Sequence, residues 1–218
     1  MNKENFTARF GDAPWFGKKE NIVIGGAGGI GSWVALALTR VGHEIIIFDD
    51  DTFEDVNMAG QLCSVASIGK SKVSSLNELI ELLTGNKLKA AFNSRYNGMT
   101  SPIMIAAFDN MVARKLMFEE WSKKEDRKLF IDGRMTAEHF EVYAVLPGNE
   151  KAYEETLFSD EEANTLKCSF KATTHNAMGI AYIITGIINN LLSEDPSGLR
   201  EVPFKTEMNI SLFMFETK

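Results

Sequence analysis

The stretch IVIGGAGGIGSWVALAL, residues 22–38, constrains this chain most, because an apolar run passes through five glycines into a second apolar run. Glycine adds nothing to a packed core and loses the most backbone entropy on folding. Five of them between two buried segments must therefore serve the backbone itself. The β-branched run Asn21–Gly25 predicts a buried strand. From Gly29 the residues Ile30, Val34, Ala37, Leu38 and Val41 recur at helical spacing, and Gly42 supplies a stop. HEIIIFDDD, residues 43–51, predicts a second buried strand ending in three aspartates. Strand, glycine turn, helix and strand in this order form a βαβ unit with a right-handed crossover. Gly26, Gly28 and Gly31 then make a G-x-G-x-x-G turn between strand and helix. Backbone without side chains lets helix N-terminal amides face a phosphate, helped by the helix dipole. Asp49, at the end of the second strand, stands where an acid accepts hydrogen bonds from a ribose. These features predict a nucleotide site and leave NAD, FAD and ATP open.

Downstream, residues 68–83 carry Val73, Leu76, Ile80 and Leu83 on one helical face, with Gly85 following. LKAAF (88–92), IMIAAF (103–108) and KLFID (128–132) read as strands, and residues 111–121 as a helix. In HFEVYAVLP (139–147), Phe140, Val142, Ala144 and Leu146 alternate with Glu141, Tyr143 and Val145, which predicts a strand with one more polar face. Residues 148–167 read as a charged loop, 175–192 as a buried helix, and 208–215 as one further strand. The expected fold is α/β: a Rossmann-like doubly wound sheet, mostly parallel in its N-terminal half, with antiparallel strands around a long helix in the C-terminal half. We expect one domain over 1–218, with its nucleotide-binding half at 1–135 and the remaining strands and helix at 136–218.

The formal net charge is −7 and no basic run occurs, so nothing points to nucleic acid. The longest apolar run, 177–192, is broken by Gly179, Thr185, Gly186, Asn189 and Asn190. A membrane span needs ~20 more uniformly apolar residues, so a buried helix fits better. The N-terminal MNKENFTARF lacks a charged-then-apolar signal segment, and we expect a cytoplasmic protein. Two cysteines, Cys63 and Cys168, make neither a disulfide framework nor a structural zinc site. The three histidines lie far apart, without metal-ligand spacing.

The segment after Asp49 narrows the choice. FDDDTFEDVNMAGQ (48–61), IGKSKV (68–73) and AAFDN (106–110), taken with the glycine turn, resemble the ThiF/MoeB family within the superfamily of ubiquitin-activating enzymes and their bacterial relatives. That family carries G-x-G-G-x-G-S, then D-x-D-x-V-E-x-x-N-L-x-R-Q, then G-x-x-K, then D-N. Here these are residues 26–32, 49–61, 69–72, and Asp109-Asn110 with Arg114 four residues on. Fainter likeness continues in ARF (8–10) and CSFKATTHNAMGIA (168–181), so the resemblance spans most of the chain. No catalytic-cysteine domain or ubiquitin-fold module is inserted, as in the compact bacterial and phage-type members.

The resemblance implies an adenylyltransferase using ATP and Mg²⁺. The acceptor would be the C-terminal glycine of a ubiquitin-like or sulfur-carrier protein, or a peptide. Its carboxylate attacks the α-phosphate and pyrophosphate leaves, a reaction that needs positioning and charge neutralisation. By the same resemblance, Gly26, Gly28 and Gly31 approach the phosphates and Asp49 holds the ribose. Asp51, Asn57, Gln61 and Lys72 also belong to the nucleotide-facing set, Lys72 supplying a point charge. Asp109 holds Mg²⁺. Arg9 reaches into a neighbouring protomer's site, which implies a homodimer. Cys168 stands in the crossover region where relay members carry a thiol, near Thr173, Thr174 and His175. One departure matters: the family places arginine just before the glutamine, and this chain has Gly60. Arg114, Arg134 or Lys70 are the candidate replacements. The alternatives are a degenerate subunit or nucleotide-binding scaffold acting with a partner, and an NAD-dependent oxidoreductase.

Overall fold

The computed structural model describes residues 8–136, 138–158, 173–195 and 197–218. The glycine-rich stretch forms β1 (Asn21–Gly25) and α1 (Gly29–Val41), followed by β2 (Glu44–Phe48). Next come α2 (Lys72–Thr84), β3 (Ala90–Phe92), β4 (Ile103–Ala106), α3 (Met111–Ser122) and β5 (Leu129–Met135). β6 (His139–Val145), α4 (Glu150–Glu154), α5 (Thr174–Leu192), β7 (Lys205–Asn209) and β8 (Met214–Thr217) complete the order. All eight strands share one sheet, ordered β3-β2-β1-β4-β5-β6-β7-β8. The first five are parallel, and β6, β7 and β8 add antiparallel neighbours. This is the Rossmann-like sheet with antiparallel C-terminal strands that the sequence predicts.

Alternation along the strands divides the core in two. Ile22 and Ile24 of β1 point to a layer built from α1, α2 and α5, with Val34, Leu38, Leu76, Ile80, Ile180 and Ile184 fully buried. Val23 points the other way, to α3 and α4, where Met117, Phe118, Trp121 and Tyr153 cover Phe48, Met104 and Phe130. A sheet covered on both faces explains why its central strands are continuously apolar rather than alternating.

Four expectations need correction. The second helix begins at Lys72 rather than at 68, because Ile68 and Ser71 are bridged to Phe53 and Thr52 and held out of the helix. The 148–167 stretch is not all loop: α4 forms there, and Tyr153 is fully buried against Phe118 and Phe130, at ring distances of 4.6 and 5.4 Å. β6 has its polar face only in its first half, where His139 and Glu141 are half-buried, since Tyr143 and Val145 further along are buried beneath that cover. Residues 208–215 are not one strand but the β7–β8 hairpin. Its turn has no glycine; Asn209 Oδ1 accepts the Leu212 N–H at 3.1 Å, and Phe213 takes a φ of 50°. Among the described residues, no helix is long and apolar enough to cross a membrane.

Candidate nucleotide site

From β1 the chain crosses to β2 on one side, while β4 lies on the other, so the strand order reverses beside β1. Open α/β sheets bind ligands in the crevice this leaves at the strands' carboxyl ends. The glycine turn lies there, and its glycines do different work. Gly26 has a φ of 95°, and a Cβ on it would sit 2.6 Å from the Ala107 carbonyl oxygen. A Cβ on Gly31 would lie 1.9 Å from the Gly26 carbonyl oxygen. Both are demanded by the protein's own packing. Gly28 is different: a Cβ there would meet nothing within 4 Å, and its φ of −77° suits any residue. It opens onto free space at the start of α1, a helix that no side chain caps. That is the feature a phosphate requires: uncovered helix N-terminal amides beside a bare backbone.

Asp49 ties this turn to the end of β2. Its Oδ2 accepts the Ala27 N–H at 2.7 Å and its Oδ1 accepts the Asp51 N–H at 2.9 Å. A carboxylate offers about four acceptor positions, so sugar hydroxyls still have places. The residues after it zip onto the start of α2: Lys72 N–H donates to the Asp51 carbonyl at 3.0 Å, and Phe53 N–H to the Lys70 carbonyl at 2.9 Å. Lys72 Nζ is thereby held 2.8 Å from Asp51 Oδ2.

The Asn/Gln segment is a short 3-10 helix, Asp55–Ala59. Asn57 Oδ1 accepts the Glu54 N–H at 2.9 Å, a capping interaction that commits the oxygen end of this side chain to the turn. Gly60 O accepts from Trp33 Nε1 of α1 at 3.0 Å, and Ala59 O accepts from Thr174 Oγ1 of α5 at 2.6 Å. Leu62 N–H donates to Ser32 Oγ at 2.9 Å. The segment is thus docked on the first turns of both helices. Next to it, Gln61 Oε1 is buried without a hydrogen-bond partner. Buried polar atoms are rarely left so.

Asp109 follows β4 and is exposed. Its neighbour Asn110 caps α3, accepting the Ala113 N–H at 2.8 Å. Two proposed replacements for the missing arginine turn inward instead. Arg114 is buried and donates to Asp132 Oδ1, to the Gly133 carbonyl at 2.8 Å and to the Phe108 carbonyl. Arg134 Nε donates to Asp132 Oδ2 at 2.8 Å, while its other nitrogens reach Thr156 O and Oγ1 at 2.9 and 3.0 Å. Lys70 alone of the three is exposed.

Arg9 is exposed on a short helical turn, Ala8–Phe10. Cys63 is half-buried with its Sγ 3.3 Å from Met58 Sδ, and burial pushes its thiol above the ordinary range, as befits a packed residue. Cys168 lies outside the described residues. A second place where side chains gather is His139, Glu141 and Glu207 on β6 and β7. Lys205 Nζ already contacts Glu141 Oε1 at 2.5 Å and Glu207 Oε2 at 2.6 Å, so an ammonium occupies the cation's position. The sequence reading did not single out Asp132 or Trp33, and it named Thr174 only as a neighbour of Cys168. For Asp132 the signal was available: one carboxylate closing the apolar run KLFID.

A model of the ThiF family matches residues 18–202. No curated protein is a significant match. Among solved structures, PaaA is similar with a TM-score of 0.69 at 17% identity, over 91% of this chain and 63% of PaaA. Escherichia coli MccB crystallised with ATP gives 0.70 at 16%, over 91% of this chain and 62% of MccB. The same protein with MccA-N7isoASN gives 0.77 at 14%, over 100% of this chain and 72% of that one. Identities this low speak for a shared fold, and this chain spans less than two thirds of PaaA and of the ATP-bound MccB. With four motifs at the carboxyl ends of the central strands and the family match running through 18–202, this chain belongs to the ThiF family.

Proposed function

We propose that this chain is an ATP- and Mg²⁺-dependent adenylyltransferase that activates a carboxylate as an acyl-adenylate. The observation that carries the reading is the open space at Gly28, at the uncapped start of α1, with Asp49 tying the glycine turn to the end of β2 beside it. Asp49 and the uncapped start of α1 supply the ribose acceptor and the phosphate amides, and Lys72 supplies a cation. Asp109, exposed just past the carboxyl end of β4, would hold Mg²⁺, whose chemistry is to neutralise phosphate oxygens. The acceptor's carboxylate oxygen bonds to the α-phosphorus as the bond to the β-phosphate's bridging oxygen breaks, and pyrophosphate departs. Lys72, close to the leaving group, stabilises charge that grows in the transition state.

MccB structures contain ATP in one case and N-formylated MccA in another. They favour a peptide among the acceptors expected from the sequence. We also assign the chain a two-fold homodimer in which Arg9 approaches the partner's nucleotide, in keeping with the commonest soluble symmetry.

A second reading has its own support. With Gly60 in place of arginine, and with Arg114 and Arg134 both committed to Asp132, the phosphates meet fewer cations. On that reading the chain is a degenerate subunit that binds nucleotide and assists a partner. ATP–pyrophosphate exchange separates the two. Peptides ending in a free carboxylate should stimulate exchange, and the same peptides as C-terminal amides should not. MgATP binding without exchange across a broad peptide panel would favour the scaffold.

A further inference from the structure

Asp132 is a fully buried carboxylate in the middle of β5, where the parallel pairing with β4 ends. It lies in register with Ala106 of β4 on one side and Tyr143 of β6 on the other. A charge taken out of water at such a position is costly unless every lone pair is met. Here they are met. Oδ1 accepts from Arg114; Oδ2 accepts from Arg134 Nε at 2.8 Å and from the Tyr153 hydroxyl at 3.0 Å. Burial, reinforced by the charge of Asp132, pushes the Tyr153 phenol far above its ordinary value, so it remains a donor.

The consequence lies at the far side of Arg114. The same guanidinium donates to the Gly133 carbonyl at 2.8 Å and to the carbonyl of Phe108, the residue before Asp109. Phe108 is fixed in two further ways. Its ring covers Gly25 so closely that a Cβ there would meet it at 2.1 Å, and the preceding Ala107 N–H donates to the Gly25 carbonyl at 2.8 Å. On the other side of Asp109, Asn110 caps α3. The backbone is therefore held on both sides of Asp109 while the Asp109 side chain stays exposed.

We propose that Asp132 is a positioning residue: by holding the Arg114 fork, it fixes the 107–110 loop and so places the Asp109 carboxylate. This rests on the reading of Asp109 as the magnesium ligand given above. Arg134 and Tyr153 hold the other oxygen of Asp132, so the carboxylate cannot turn away from Arg114. The arrangement is the charged counterpart of an outer-shell hydrogen bond that orients a metal ligand.

The test uses the whole chain with Asp132→Asn, and Arg114→Lys as a second variant that keeps the cation but loses the planar fork. Two readouts are compared with wild type. Without ligand, amide hydrogen exchange over residues 107–113 should accelerate while the β1 and β4 amides keep their protection. With ATP present, the Mg²⁺ concentration at half-maximal ATP binding should rise by about 10–100-fold, the usual cost of losing an outer-shell partner. A folded variant with unchanged loop exchange and an unchanged Mg²⁺ midpoint overturns the proposal. If Asp132→Asn does not fold, Arg114→Lys decides by the same two readouts. Wild-type ATP binding that ignores Mg²⁺ would overturn the magnesium reading instead, and loop exchange in the variants would still decide whether the clamp exists.

Discussion

The Lys72 ammonium sits 2.8 Å from Asp51 Oδ2, with the lysine buried and the aspartate open to solvent. One partner is thus held in place and the other is free to yield. A phosphate entering the crevice competes with Asp51 for a cation that is already positioned, so little order has to be created on binding. Lys72→Ala should accordingly lower the rate of pyrophosphate exchange by about a hundredfold or more, with a smaller loss of ATP affinity. Stability should change little, because half-exposed ion pairs contribute about 0–1 kcal/mol. Equal losses in rate and affinity would place Lys72 in ground-state binding only.

The glycines offer a second check, because Gly26 and Gly31 are packed against backbone while Gly28, in the same turn, faces open space. Gly31→Ala drives a Cβ against the Gly26 carbonyl and should cost about 1–3 kcal/mol of stability. Gly28→Ala meets nothing and should leave the denaturation midpoint unchanged. Its ATP affinity should nevertheless fall at least tenfold, about 1.4 kcal/mol, measured by calorimetry. Unaltered ATP binding in Gly28→Ala would move the phosphates elsewhere.

Much of this was legible in the chain itself, and the reason is local. The β1 strand, the glycine turn and α1 follow from hydrophobic period and glycine placement within twenty consecutive residues. Asp49 was singled out by its place at the end of the second strand and Lys72 by the family resemblance, and the fold joins them through Asp51. What escaped the reading depends on contacts between distant segments. The Asp132–Arg114–Arg134 cluster needs β5, α3 and the end of α4 together, and no spacing rule links positions 114 and 132. The β7–β8 turn escaped because Asn209, rather than a glycine or proline, closes it inside a largely apolar run. α4 escaped because a single buried tyrosine anchors an otherwise charged stretch.

Asp49 should be the residue on which nucleotide binding depends most. MgATP binding the native state alone raises stability by about 2.7 kcal/mol at a hundredfold excess over Kd, a shift readable in thermal denaturation. Asp49→Ala should abolish that shift. It also frees the Ala27 and Asp51 N–H groups, so the unliganded variant should melt somewhat lower than wild type. A full ligand shift in the variant would rule out Asp49 as the ribose acceptor.

His43 should give the fold a measurable acid limit. Burial, against a weaker opposing charge from Glu20, holds its imidazole below the ordinary 6.5. The unfolded chain therefore takes up the proton first, and stability falls as protons become available. The contribution is complete above about pH 6.5 and is lost as pH drops through that value towards the lower folded pKa. Its Nδ1 accepts the Glu20 N–H at 3.3 Å, while Nε2 is buried without a partner. Denaturant midpoints measured from about pH 7 to about pH 5 should fall, and His43→Gln should flatten that slope. Identical slopes would assign the acid sensitivity to other groups.

The transfer of AMP to a carboxylate is tested most directly by following oxygen. A peptide acceptor whose C-terminal carboxylate carries ¹⁸O is incubated with the protein, ATP and Mg²⁺, and any acyl-adenylate is then cleaved with hydroxylamine. Attack of the carboxylate on the α-phosphorus, followed by cleavage at the acyl carbon, leaves one ¹⁸O in the released AMP. The account predicts AMP bearing that single label. AMP without label, or no AMP from any peptide while MgATP binds, would contradict it.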